Sequence, residues 1–188
     1  MSELSRKDLF YVAFPKKFIP ESIETLYRER YVKRMPSYID SPRELVINTV
    51  QAITVPSFGY DVVDPMYKDK YSNSAITRQN RASINPQDLS DKSLTVTFKM
   101  ISGYVNYFIL LDTFNDHYDY SNPERYMFDL PVHILDNDGT IIFSRIFKDC
   151  IFSEITEFQL SYSDNFAGFD TFSITLNYTT SETAFLPG

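Results

Sequence analysis

The feature that most constrains this chain is alternation with a period of two. In "SLTVTFKMI" (93–101) Leu94, Val96, Phe98 and Met100 alternate with polar residues. In "EFQLSYSDNFAGFDTFSITLNY" (157–178) the pattern occurs twice. Phe158, Leu160 and Tyr162 alternate with Gln159, Ser161 and Ser163, and Phe172, Ile174, Leu176 and Tyr178 with Ser173, Thr175 and Asn177. A strand sends successive side chains to opposite faces, so each run predicts a strand with one buried face. The polar, glycine-containing link predicts a hairpin with a longer loop. The second face carries Ser, Thr, Gln and Asn with almost no charge. It is either plain solvated surface or a face turned to a partner or a channel.

Other segments fill in a mainly β chain. "DLFYVAF" (8–14) fits a first strand. In 18–35, Ile23, Leu26, Tyr27 and Tyr31 fall at helical spacing, and Pro20 and Ser22 start a short surface helix. At 40–58, Ser41 can cap, Pro42 sits where a missing N–H costs nothing, and Glu44 completes a capping box. This predicts a short helix over 42–51 and a strand over 52–55. "GYVNYFILLDTFNDHY" (103–118) changes period. Tyr107, Leu110, Leu111, Phe114 and Tyr118 form one apolar stripe, widened by Tyr104 and Phe108, of a helix on the core. Strands are expected over 126–135, 140–147 and 150–155, the first two joined by the Asp138-Gly139 turn. Residues 60–92 hold no periodic run. A connection of about thirty residues is too long to be idle, so it reads as a long loop or extended arm.

Composition and charge exclude several classes. With 188 residues, 43% apolar and 16% aromatic, the chain suits one folded domain. Five glycines argue against a glycine-rich phosphate loop, and the single Cys150 cannot form an internal disulfide. "MSELSRKDLFYVAF" has no apolar run of signal-peptide type, and no stretch is long enough to span a membrane. A reducing cytoplasm is the expected place of synthesis. Charge is unevenly spread. Residues 1–92 carry 14 Lys and Arg against 12 Asp and Glu, whereas residues 93–188 carry 4 against 13. The strand-rich half repels a polyanion rather than gripping it.

Candidate chemistry is sparse. His117 lies beside Asp116, with Asp119 nearby, but a histidine at a helix end more often meets the helix dipole. His133 sits in a strand with no companion ligand. Cys150 has no neighbouring histidine and reads as a buried, inert thiol. "DNDG" (136–139) is followed by Thr140 and an apolar run, not by the remaining ligands of a calcium loop, so it reads as a turn. Neither a nucleophile elbow nor a phosphate or dinucleotide loop is present. Glu154 and Glu157 form a carboxylate pair in no setting that would raise a pKa. The sequence asks for no enzyme, cofactor or metal. The Tyr and Phe content permits sugar stacking, but most aromatics run in phase with Leu and Ile and fit a core.

The order of pieces is informative. "LFYVAF", "QAITVPSF" with its Thr54-Val55-Pro56, the strand "LTVTFKM", the helix at 103–118, a hairpin, and the ending at 155–178 together resemble the tail tube proteins of long-tailed phages and the tube protein of type VI secretion. The match covers roughly 45–60 and 93–180. The additional stretch 18–44, and the tail "SETAFLPG", are similar to features of ring proteins in crAss-like phage tails. The resemblance implies a mainly antiparallel β-barrel or sandwich with one flanking core helix. It would be a single domain over 1–188, with an insertion at 18–44 and an assembly arm at 60–92. It implies a structural virion protein made in the host cytoplasm, a tail tube or head–tail ring subunit. Its partners would be copies of itself in a ring of six or twelve, and neighbouring tail or portal-side rings. DNA would pass through the lumen without specific binding. The lumen candidates are Asp136, Asp138, Glu154, Glu157, Asp164 and Asp170. The arm candidates are Tyr67, Lys68, Lys70, Tyr71, Arg78 and Arg81. A carbohydrate-binding module of a phage fibre or baseplate is the alternative class, and a small hydrolase using the carboxylates of 112–124 is a third.

Overall fold

A computed structural model of the chain describes residues 9–31, 41–55, 62–63, 81–82, 92–118, 127–157 and 170–185, with 62–63 and 81–82 described by backbone only. In chain order the elements are β1 (Phe10–Val12), α1 (Glu21–Arg30), α2 (Pro42–Asn48), β2 (Val50–Thr54), β3 (Val62–Val63), β4 (Arg81–Ala82), β5 (Ser93–Lys99), α3 (Val105–His117), β6 (Phe128–Leu135), β7 (Ile141–Ile155), β8 (Thr171–Asn177) and β9 (Thr180–Phe185). All pairings are antiparallel, in the order β1-β6-β7-β8-β5-β2, with β9 also on β7. Among the described residues the two ends of this order do not meet, so the sheet stays open rather than closing into a barrel.

The alternation read from sequence decides which face is buried. Leu94, Val96 and Phe98 on β5 stand opposite Leu176, Ile174 and Phe172 on β8, and all six are buried. The polar residues between them take the other face. The runs expected over 140–147 and 150–155 are one strand of 15 residues, β7. Its first half pairs with β6 and β9, and its second half with β8. The change falls at a bulge, where Asp149 takes a left-handed φ of 52° and the register against β6 shifts between Phe128 and Leu130. Asp129 holds the bulge through the Asp149 N–H (3.2 Å) and the Lys148 ammonium (3.2 Å). A bulge bends a strand and raises its twist, which lets one strand serve two sheets. The β6–β7 turn has the expected chemistry. Gly139 sits at φ 79°, and its N–H donates to the Asp136 carbonyl at 2.9 Å.

The tail expected to run past the last strand is instead a strand, β9, with Phe185 opposite Phe143 and Thr183 opposite Arg145. The Arg145 guanidinium donates to the Thr183 (2.7 Å) and Ser181 (2.6 Å) hydroxyls, so cross-strand polar pairs hold an element with little apolar periodicity. The first run of the 157–178 hairpin lies outside the described residues.

Helices α1, α2 and α3 pack against one another. Ser41 caps α2 by accepting from the Glu44 N–H at 3.2 Å, with Pro42 in the first turn. On α1, Ile23 and Tyr27 are buried, but Leu26 and Tyr31 remain exposed. The buried side of α3 differs from the expected stripe. Val105, Asn106, Tyr107, Ile109, Leu110 and Thr113 are buried, while Phe108 and Tyr118 are exposed. The helix meets β7 on one side and α1 and α2 on others, so no single stripe describes it. Phe18, in a 3-10 turn before α1, is also fully buried, its ring against Phe14, Phe128 and Phe152.

Candidate functional site

The face opposite the core on β2, β5 and β8 is a continuous field of hydroxyls. Ser93, Thr95 and Thr97 on β5 stand beside Asn177, Thr175 and Ser173 on β8, and Ala52 and Thr54 on β2 flank Thr97 and Thr95. Threonine keeps the β preference of a branched residue without offering an apolar surface. The hydroxyls are partly satisfied within the sheet. Thr97 Oγ1 and Ser173 Oγ lie 2.9 Å apart, and Ser153 Oγ donates to the Thr175 carbonyl at 2.9 Å. The register from Ser93–Asn177 to Lys99–Thr171 is unbroken over seven pairs, so the face is regular. Charge enters it only at the margins, with Lys99 at one end and Glu154 on β7 opposite Thr175.

The outer face of the other sheet is different. It carries the Tyr11 ring stacked on His133 (6.0 Å), the Lys148 ion pairs to Asp129 (3.2 Å) and Glu182 (3.1 Å), and an exposed Ile142. His133 Nδ1 is 2.7 Å from Ser144 Oγ. β1, β2 and β9 each pair along one edge only in the described sheet.

The acidic candidates do not form one cluster. Asp136 and Asp138 are exposed in the β6–β7 turn. Glu154 and Glu157 are exposed at the far end of β7, and Asp170 is exposed just before β8. The two groups therefore lie at opposite ends of a 15-residue strand. Asp164 lies outside the described residues, as do Tyr67, Lys68, Lys70, Tyr71 and Arg78. Arg81 lies on β4, which pairs with β3 through Val63–Arg81 and Val62–Ala82. The 60–92 segment thus contains a short antiparallel ribbon, inserted between β2 and β5.

Burial shifts three further titratable groups, Tyr27, His117 and Cys150. Tyr27 donates to Asp112 Oδ2 at 2.6 Å, and burial, then that carboxylate, push its phenol well above the usual range. His117 is pressed between the rings of Phe18 (6.0 Å) and Phe152 (6.3 Å). Burial lowers its pKa against the opposing influence of the Phe18 backbone and Asp116. It is a packing imidazole rather than the dipole-stabilised cation expected at a helix end. Burial pushes the Cys150 thiol up to about 12, which makes it unreactive at neutral pH. Among the described residues no group of three His, Cys, Asp or Glu side chains converges on a metal-sized site, and no helix is long and apolar enough to cross a membrane.

This open, mainly antiparallel sheet with packed helices is a fold of the tail-tube type. Chains from contractile injection systems share it. A chain of the anti-feeding prophage cap, described as a tube terminating cap, is 10% identical with a TM-score of 0.54 over 98% of this chain and 93% of its own. A chain of an extracellular contractile injection system, the PVC sheath-tube complex in the extended state, is 11% identical with a TM-score of 0.52, covering 98% and 94%. A chain of the six-fold symmetrised anti-feeding prophage baseplate gives 10% and 0.52, covering 74% and 83%. No protein-family model and no curated protein sequence matches the chain.

Proposed function

We propose that this chain is a structural subunit of a phage-type tail, a tube or ring protein whose copies close into rings around a channel for DNA. The observation that carries the reading is the fold shared with the cap and sheath-tube chains over nearly their whole lengths. The open sheet supports it. Unpaired edges invite pairing with another chain, and a head-to-tail contact between unlike edges generates a ring when the rotation closes. The net charge of −9 over residues 93–188 suits a channel that a polyanion passes without sticking. The structural role needs no catalytic residues or cofactor, and its place is the virion tail.

In this reading the ribbon-bearing segment 60–92 is the assembly arm, its Lys and Arg meeting the acidic half of a neighbour. Replacing residues 64–80 by a short Gly/Ser turn leaves a folded subunit that no longer closes or stacks; normal assembly of that variant refutes the arm. Negative-stain electron microscopy of the purified protein tests the function itself. Rings with a central hole of DNA width are the expected result, and a strict monomer at high concentration overturns it.

A further inference from the structure

We propose that the hydroxyl face of β2, β5 and β8 is the wall of the channel, the surface past which a polyanionic polymer slides. The inference rests on the tube reading above and adds which surface of the subunit faces inward.

A channel wall has to avoid three kinds of contact with nucleic acid. Cations hold phosphates and release counterions, so each costs mobility. Exposed aromatic rings stack on bases. Broad apolar patches retain any partly apolar polymer. The outer face of the β1-β6-β7-β9 sheet carries the stacked Tyr11–His133 rings, an exposed Ile142, and Lys148 in ion pairs with Asp129 and Glu182. The helical layer exposes Leu26, Tyr31 and Phe108 beside Arg30 around a cleft of about 220 Å³. On β2, β5 and β8 the corresponding positions are Thr, Ser, Asn and Ala, with Lys99 at one end and, on the adjoining β7, a half-exposed Ile151 opposite Asn177 at the other.

The hydroxyls also answer one another. The 2.9 Å Thr97–Ser173 contact spends hydrogen-bonding capacity inside the sheet instead of offering it to cargo. Glu154 borders the face on β7, and Glu157 and Asp170 are exposed near the same end. These carboxylates add repulsion where a phosphate would otherwise linger. The unbroken β5–β8 register gives each subunit a regular panel.

Cysteine accessibility tests this directly, because the one native thiol, Cys150, is fully buried and barely ionised. Thr97→Cys and, at an exposed position of the same face, Thr171→Cys are each labelled with a small uncharged maleimide and with a bulky polyethylene-glycol maleimide, in free subunits and in assembled tubes. Both reagents should label free subunits. On assembly, reaction with the bulky reagent should be lost while reaction with the small one persists. Tubes that still react with the bulky reagent put the face on the outside, and tubes that react with neither make it a subunit contact. Either result overturns the inference and leaves the tube reading standing. Failure of the unlabelled wild-type protein to form any ring or tube overturns both.

Discussion

Asn106 joins the three pieces that meet where α3 begins. Its amide donates to the Lys99 carbonyl at 2.7 Å and to Thr49 Oγ1 at 3.1 Å, and its carbonyl accepts the Ile101 N–H at 3.4 Å. The side chain is fully buried. Just ahead of it, Gly103 and Tyr104 both take left-handed φ values, 78° and 55°, and the second is unfavourable for a bulky residue. Asn106 therefore ties β5, α2 and a strained turn together. Asn106→Ala leaves buried partners unsatisfied, and should cost about 1–3 kcal/mol, read as a lower urea midpoint at unchanged slope. His117 gives a prediction in pH. Its folded pKa lies below the value of 6.5 it has when exposed, so the unfolded chain binds the proton more readily. The contribution is fully present above pH 6.5 and is lost as pH falls through 6.5 toward the depressed folded value. The thermal midpoint of wild type should thus fall more steeply below pH 6.5 than that of His117→Gln; parallel curves would show that His117 is not buried as a neutral ring. The sequence did not single out Asn106, and it read His117 as structural but on the helix dipole, not packed between rings. Packing partners of both, Thr49 for Asn106 and Phe18 and Phe152 for His117, come from distant segments that local sequence does not reveal.

At the scale of elements, what was legible is what repeats locally. β5 and β8 follow their alternation, α2 starts at its capping box, and the β6–β7 turn follows its Asp-Gly pair, because each depends on neighbours in sequence. What was missed depends on context. β7 reads as two strands because the bulge at Lys148–Asp149 breaks its alternation, yet the backbone runs on. β9 carries a weak pattern and is held by Arg145 and by pairing with β7. The α3 stripe was misplaced because α1 and α2 bury positions the sheet alone would not. The bulge makes a testable claim about the joint between sheets. Asp149 occupies φ 52°, a region that aspartate tolerates and a β-branched residue does not. Asp149→Val should destabilise by about 1–2 kcal/mol in urea unfolding. Asp149→Gly, free of that strain but more flexible when unfolded, should remain within about 1 kcal/mol of wild type. Equal losses in the two variants would mean that the carboxylate, and not the backbone angle, matters at the joint.

For the whole molecule, the decisive property is how charge is distributed around the proposed channel. Sequence identified six acidic candidates in or beside strands and turns but could not say which face each presents. The fold separates Glu154, Glu157 and Asp170, at the β7–β8 end bordering the hydroxyl face, from Asp136 and Asp138 in the β6–β7 turn. If that face lines the channel, only the first group borders the cargo. All three residues are exposed, so charge reversal there should leave folding and ring closure close to normal. The triple variant Glu154→Lys, Glu157→Lys and Asp170→Lys presents counter-charges to every passing phosphate. Tubes assembled from it should retain double-stranded DNA that wild-type tubes release, and tails carrying it should eject more slowly. The salt dependence identifies the cause. Each lysine that meets a phosphate should steepen the fall of log affinity with log salt by about 0.9, and the retention should fade as screening shortens to about 8–10 Å near physiological ionic strength. Asp138→Lys, at the other end of the strand, is the internal control and should release DNA as wild type does. Retention by Asp138→Lys equal to that of the triple variant would place the turn, and not the β7–β8 end, at the channel. Free release by both would move all these carboxylates to the outer surface.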